Sequence, residues 1–305
     1  MNSAIERIAL YTTIYRGVES FLPDWYRSVR AQSDHGYQLW IGLDGIDPET
    51  AERMIGTKVD ATWILSKPND SPAQIRQRAL ARITDICEAV VLVDSDDILH
   101  GSRVAAARAF LNVSELSGCA LRLVDQKGYD LRQTFDLPPG ANPEKVLPRH
   151  NVFGLSNSAY RSDLLRRCLP IPAEVVLVDW FLATRAWLMG AKLAFDPVIR
   201  MDYRQHGTNM ARVRGPFTEQ QVIQDTGMVR QHFRTFREGS TKSYLPERFA
   251  ELVRTADDVD LFYQRVTLDS ARLTHYVAAF NALALPPLWW SCVAHPSLNK
   301  FWQQQ

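Results

Sequence analysis

The chain has 305 residues, enough for one large α/β domain or for a domain with an appendage. Lysine and arginine number 35 and aspartate and glutamate 34, so the formal charge of +1 leaves no overall basic field for holding nucleic acid. Cys87, Cys119, Cys168 and Cys292 form no C-x-x-C pair and read as buried thiols of a reducing compartment, and the N-terminal apolar stretch is too short and interrupted for a secretory signal, so the chain reads as cytoplasmic.

In chain order, residues 8–12 read as a strand. Residues 21–32 read as a helix, with Leu22, Trp25, Tyr26 and Val29 at helical spacing. A second strand over 39–43 ends in Asp44-Gly45, a helix follows over 48–55, and a third strand covers 61–65. Ser71-Pro72 opens another helix, since a Ser cap before Pro at the first helical position is a start signal. Its apolar stripe is Ile75, Ala79, Ile83 and Ile86. Residues 89–93 form a fourth strand, apolar throughout, as a strand buried on both faces should be.

This alternation predicts an α/β fold, a Rossmann-like and mostly parallel sheet flanked by helices, with ligands beyond the carboxyl ends of the strands. The second half is less regular. Residues 120–124 and 153–160 read as strands, 136–148 as a loop, and 175–178 as an apolar run into Asp179 and a helix over 180–189. Short strands over 193–195 and 199–203 follow. Gly215-Pro216 marks a boundary between a domain over residues 1–215 and a C-terminal helical extension over 216–305, with helices over 218–236 and 257–285. Residues 276–294 carry no charge over about 19 positions, near the length of a membrane span. Pro286-Pro287 splits that stretch and Asn281 and Ser291 add polarity. It therefore reads as a docking segment, against the main domain, a second copy in a homodimer, or a membrane surface touched peripherally.

The strongest chemical signal is Val93-Asp94-Ser95-Asp96-Asp97 at the end of the fourth strand. Clustered carboxylates repel, and they suit a hard cation bound through oxygen, although an acidic turn capping the next segment fits the same letters. Asp44 ends the second strand, either as a plain Asp-Gly turn or as an acceptor for a base or ribose. Thr12 and Thr13 end the first strand and either donate to a nucleotide or satisfy the chain end. Of Arg76, Arg78 and Arg82, Arg76 sits in the first helical turn, nearest the ligand edge. Asp179 is either a helix cap or a general base facing a cleft. His206 lies beside a turn at Gly207 and Asn209.

Taken in order, these segments resemble the family 2 glycosyltransferases of the GT-A fold, bacterial and rhamnosyltransferase-like. The resemblance is carried by Thr12-Thr13, by the segment from Trp25 to Gln32, by Leu43-Asp44-Gly45, by the segment from Ile75 to Leu80, by Val93-Asp94-Ser95-Asp96-Asp97 as a D-x-D element, and by Tyr203-Arg204-Gln205-His206-Gly207-Thr208-Asn209. It covers roughly residues 5 to 215. It implies an inverting transfer of a hexose-like sugar from a nucleotide-diphosphate-sugar donor to a carbohydrate or lipid-linked acceptor. It also implies Mg2+ or Mn2+, and work in bacterial surface polysaccharide synthesis on the inner face of the membrane. Thr12, Thr13, Asp44, Arg76, Asp94 and Ser95 would hold the donor, Asp96 and His206 the metal, and Asp179 would be the base. Val178 stands where the family has a Glu, Gln77 where it has an Asn, and the Q-x-x-R-W motif is absent. Two other readings stay open: a non-catalytic nucleotide-sugar-binding protein, and a sugar-phosphate nucleotidyltransferase, whose Gly-rich loop with Lys is missing between Thr12 and Gly17.

Overall fold

The computed structural model describes residues 5–207 and 209–303. Strand β1 (Ile8–Tyr15) is buried at every residue but Tyr15, as its near-continuous apolar run requires. It pairs in parallel with β2 (Tyr37–Asp44) and with β4 (Ala89–Leu92), and β3 (Thr62–Leu65) extends the sheet beyond β2. Helices α1 (Leu22–Arg30), α2 (Pro48–Ile55) and α3 (Pro72–Ile86) connect them. α1 buries Leu22, Trp25 and Val29, and α3 buries Ile75, Ala79 and Ile83, the stripes set by helical spacing. The helix starts are written locally. Asp47 accepts the Thr50 N–H at 2.8 Å, Ser71 and Gln74 satisfy each other's backbone N–H, and each cap precedes a proline.

All strands of this half end at one edge. Tyr15 lies beside Asp44 and Leu43 beside Leu65, and the chain leaves β4 at the same edge through Val93 and Asp94. After the two-residue strand β5 (Ile98–Leu99) and helix α4 (Arg103–Leu111), strands β6 (Leu116–Asp125) and β7 (Asp130–Phe135) make a hairpin. The Asp125 carboxylate holds its turn by accepting the N–H groups of Lys127 and Tyr129, each at 2.8 Å. β8 (Ala159–Arg161) lies antiparallel between β4 and β6 and joins the halves, while β9 (Leu193–Gln205) runs parallel to β6. The sheet order is β3-β2-β1-β4-β8-β6-β9-β5, with β7 on β6. The mostly parallel sheet flanked by helices is thus present, and every antiparallel pairing involves β5, β7 or β8.

Three expectations are corrected. The strand expected over 153–160 is strand only from Ala159, because residues 154–158 form a turn closed by Ser158 N–H on the Gly154 carbonyl at 3.1 Å. The two short strands expected over 193–203 are one strand with a bulge. Pro197 has no N–H for the ladder, so the register jumps from Asp196 opposite Cys119 to Ile199 opposite Ala120, and Val198 turns to solvent. The single helix expected over 257–285 is two: α9 (Pro246–Phe262) runs through a π-helical turn (Tyr263–Thr267), and α10 (Ser270–Asn281) restarts where the Asp269 carboxylate caps the Arg272 N–H at 3.0 Å.

The remaining helices are the single turn α5 (Pro143–Val146), α6 (Ser162–Cys168), α7 (Val178–Leu188), α8 (Glu219–Glu238) and α11 (Lys300–Gln303). α7 is buried at every residue but Asp179 and Arg185 and packs against α8, with Trp180 stacked on His232 at 4.2 Å and Phe181 on Phe236 at 5.3 Å between ring centroids. One continuous apolar cluster joins sheet and C-terminal helices, taking in Trp25, Trp180, Phe236, Tyr276 and Trp302. The four cysteines are buried and free, and no described helix is long and apolar enough to cross a membrane.

Candidate active site

A cleft of about 350 Å3 opens at the edge where the parallel strands end. Thr13, Tyr15, Asp44, Arg76, Asp94 and Asp96 line one side, all from the first half of the chain. Gly154, Leu155 and Ser156, Val176 to Asp179, Tyr203, Asn209 to Ala211, and Trp289 and Trp290 line the rest. The lining mixes charged and polar groups with apolar ones, and the Asp179 carboxylate is near enough to Arg76 and Asp94 to act on them electrostatically.

The carboxylates of Asp94, Asp96 and Asp97 each place an oxygen within 4.8 Å of the others. Ser156 Oγ lies 2.8 Å from Asp94 Oδ2 and also touches Asp97 Oδ2. One hydroxyl proton cannot serve two carboxylates, so the cluster holds more negative charge than its donors neutralise. Arg204 adds its backbone N–H to Asp97 Oδ1 at 2.7 Å, but its guanidinium turns to the carbonyls of Asp96 and Gln126, each at 2.8 Å. Burial first and Asp96 second push both Asp94 and Asp97 above the usual carboxylate range; Arg76 opposes this at Asp94. Two buried carboxylates and one half-buried one, short of positive charge, are a donor set that fits a hard divalent cation.

His206 stands beside this cluster rather than within it. Its Nε2 meets Asp96 Oδ2 at 2.8 Å, and its ring lies 5.0 Å from that of Phe21. A histidine held against one oxygen of a carboxylate fixes how the carboxylate is presented.

Arg76 lines the cleft from the N-terminal end of α3, as its fifth residue. Its Nε is buried without a hydrogen-bond partner, and among the described residues it makes no ion pair. The two other arginines of this helix are spent elsewhere, Arg78 on Asp70 and Arg82 over the Trp40 ring at 5.7 Å. Gln77 is also committed, accepting the Ile171 N–H at 2.7 Å. Asp44 and Thr13 line the cleft, with Thr13 Oγ1 3.0 Å from the Tyr11 hydroxyl. Thr12 and Ser95 do not line it. Thr12 points to the other face of β1, where its hydroxyl is buried with no partner among the described residues. Ser95 is fully buried and donates to the Thr13 carbonyl at 2.9 Å, tying the acidic turn to the end of β1.

Asp179 is not the cap of α7, because Leu177 holds that position. It lies in the first turn, with Oδ1 accepting the Trp180 N–H at 2.8 Å and Oδ2 accepting from Asn151 Nδ2 at 2.9 Å. Burial raises its pKa, against the Trp180 N–H, Arg76 and Asn151, which favour the ionised form. Val178, in the position of the family's Glu, is a buried part of the cleft wall. Asp97, Ser156, Asn151, Tyr15, Trp289 and Trp290 were absent from the sequence-derived set. Only Asp97 carried a local signal, as the third carboxylate of its run.

The chain matches no family model and no curated protein. Among solved structures it is similar to the mannosyltransferase PcManGT from Pyrobaculum calidifontis in complex with GDP-Man and Mn2+. The identity is 18% and the TM-score 0.57, over 91% of this chain and 76% of that one. It is also similar to residues 1–349 of TarS from S. aureus in complex with UDP-GlcNAc, at 14% identity and a TM-score of 0.55, over 98% of this chain and 93% of that one. The complex of the same TarS fragment with UDP gives 15% identity and a TM-score of 0.54. At these identities the likeness is one of fold, and the fold is the GT-A arrangement expected from the sequence.

Proposed function

We propose that this protein is a glycosyltransferase that moves a sugar from a nucleotide-diphosphate-sugar donor to an acceptor hydroxyl with inversion. The observation that carries the reading is one cleft lined by an arginine with no ion pair among the described residues, by two members of a carboxylate cluster, and by the buried Asp179 carboxylate. The solved structures of similar fold lend support, since PcManGT was captured with GDP-Man and Mn2+ and TarS with UDP-GlcNAc.

In this reading Asp44 and Thr13 receive the nucleoside, and Arg76 faces the diphosphate oxygens, where negative charge grows as the glycosidic bond breaks. Thr12 and Ser95 support the donor side from behind, through the end of β1. Asp94 and Asp96 would hold Mg2+ or Mn2+, with Asp97 behind them and His206 steadying Asp96; when bound, the ion supplies positive charge to the diphosphate. Asp179 takes the proton of the acceptor hydroxyl as its oxygen bonds to the anomeric carbon. The bond from that carbon to the diphosphate oxygen breaks, and the nucleoside diphosphate leaves. The acceptor is a hydroxyl of a carbohydrate or lipid-linked saccharide, in surface polysaccharide synthesis at the inner face of a bacterial membrane. The division into a transferase domain over 1–215 and a helical extension over 216–305 belongs to the same proposal, as does contact of that extension with a membrane or a second copy.

A thermal-shift panel of UDP, GDP, dTDP and CDP, with and without Mn2+ or Mg2+, tests it. A ligand that binds only the native state raises the melting temperature with occupancy. The expected result is one nucleotide that stabilises the protein only with metal, followed by release of that nucleoside diphosphate from its sugar donor in the presence of acceptor. Indifference to all four nucleotides would overturn the proposal.

A further inference from the structure

Asn151 belongs to no motif, yet it is fully buried and touches the Asp179 carboxylate in the cleft. Its Nδ2 donates to Asp179 Oδ2 at 2.9 Å, while its Oδ1 accepts the Phe153 N–H at 3.0 Å. With the Trp180 N–H on Oδ1, each oxygen of Asp179 has one donor. That fixes the plane of the carboxylate and leaves it free lone pairs for an incoming hydroxyl.

Asn151 is itself held from far along the chain. Its backbone pairs antiparallel with that of Trp289, and Arg149, two residues earlier, donates to the Ala294 carbonyl at 2.9 Å. Residues 288–294 form a strap between α10 and the C-terminus. Tyr276 of α10 anchors it, its hydroxyl donating to the Cys292 carbonyl at 2.9 Å and accepting the His295 N–H at 3.1 Å. The strap is strained: Trp290 and Ala294 have φ of +64° and +46°, a region that residues with side chains rarely adopt and that surrounding contacts must enforce. Trp289 also fits too closely for change. Its ring fills the space above Gly154, where a Cβ would meet it at 2.5 Å, and its indole N–H donates to the Tyr203 hydroxyl at 3.3 Å.

We propose that Asn151 is a positioning residue that aims the Asp179 carboxylate at the acceptor hydroxyl, and that the strap over residues 288–294 holds Asn151 in place. The inference rests on the reading of Asp179 as the base. The charged and titratable groups around Asp179 are Arg76 on α3, Asp94 after β4, Tyr160 on β8 and, across Trp180, His232 on α8. Of the contacts named here, only the Asn151 amide is a neutral side-chain donor to it.

Asn151→Asp separates aiming from support. It keeps the shape, the backbone pairing and the acceptor for the Phe153 N–H, but removes the donor to Asp179. The new carboxyl then shares one proton with Asp179 or repels it. Transfer is measured from about pH 5 to about pH 9 with saturating donor and metal, for wild type, Asn151→Asp, Asn151→Ala and Asp179→Asn, alongside calorimetric nucleotide binding. Wild type should lose activity on the acid side, as Asp179 takes up a proton. Asn151→Ala should lose about a hundredfold in kcat with nucleotide affinity unchanged, as expected for a misaimed group. Asn151→Asp should reverse the sense of the profile, active while the pair shares a proton and failing on the alkaline side. A wild-type profile and rate in Asn151→Asp, or a loss equal at every pH, would overturn the positioning role. Transfer that survives in Asp179→Asn would instead overturn the base reading, whatever the Asn151 variants do.

Discussion

Asp96 is 7% exposed and sits between two other carboxylates that share a single serine proton. Burial first and repulsion from Asp96 second make Asp94 and Asp97 resist ionisation. Asp96→Asn removes one charge but keeps an acceptor for His206. The apo protein should gain about 1 kcal/mol, read as a rise of about 1–2 °C in melting temperature. At the same time, nucleotide stabilisation that depends on metal should vanish. A fall in apo melting temperature would show that the cluster is a structural network rather than a site built for a cation. The residues that sequence alone brought to this edge were those whose signal is local: the carboxylate run after a strand, Asp44 before a glycine, Arg76 just after a capped helix start, and Asp179 at a helix start. Ser156, Asn151 and Trp289 gave no such signal. They act through contacts set by tertiary packing, across 62 positions between Ser156 and Asp94 and 28 between Asn151 and Asp179.

His232 lies between Trp180 and Phe236 in the seam of α7 and α8, and burial lowers its pKa to about 3. The unfolded chain takes up this proton near pH 6.5, while the native state refuses it until about pH 3. Between these values the unfolded state binds more protons, so stability rises with pH and falls with acid, by about 1.4 kcal/mol per pH unit for this group. His232→Phe keeps an aromatic ring on Trp180 and removes the titration. Chemical denaturation at pH 7 and pH 5 should show the variant losing about 2 kcal/mol less than wild type over that interval. Parallel losses would mean that the histidine is already charged or solvated in the folded state. The seam also shows where elements were legible. α2 was placed from Pro48 and α3 from Ser71-Pro72, local signals that the structure keeps, with Asp47 adding a cap to α2. The start of α9 at Pro246 and its break before α10 were not, because a π-helical turn and the Asp269 cap interrupt a pattern that reads as continuous from Asp257 onward. β9 was split in reading for the opposite reason. Pro197 looks like a strand end, but the ladder with β6 resumes beyond it once Pro197 and Val198, and then Arg200, drop out of register.

With a net charge of +1, the molecule as a whole does not draw in a nucleotide, so any attraction is local to Arg76 and the strand ends. The parts of the cleft come from separate lengths of chain. The parallel half supplies Thr13, Asp44, Arg76, Asp94 and Asp96, the middle supplies Ser156 and Asp179, and the strap supplies Trp289 and Trp290. A disturbance of the C-terminal helices should therefore reach transfer before it reaches donor binding. Tyr276→Phe is the variant that tests this. Tyr276 is fully buried, lines no part of the cleft, and holds the strap by two backbone hydrogen bonds. Losing its hydroxyl leaves the Cys292 carbonyl and the His295 N–H without that partner, at a cost of about 1–3 kcal/mol in stability. A strap loosened in this way should let Asn151 and Asp179 drift, lowering kcat by about tenfold while the donor KM and metal dependence stay as in wild type. An equal loss in donor affinity would mean that the helices support the fold as a whole. An unchanged kcat would mean that the strap is held firmly enough by Arg149 and Trp289 without Tyr276, and the path from α10 to Asp179 would have to be abandoned.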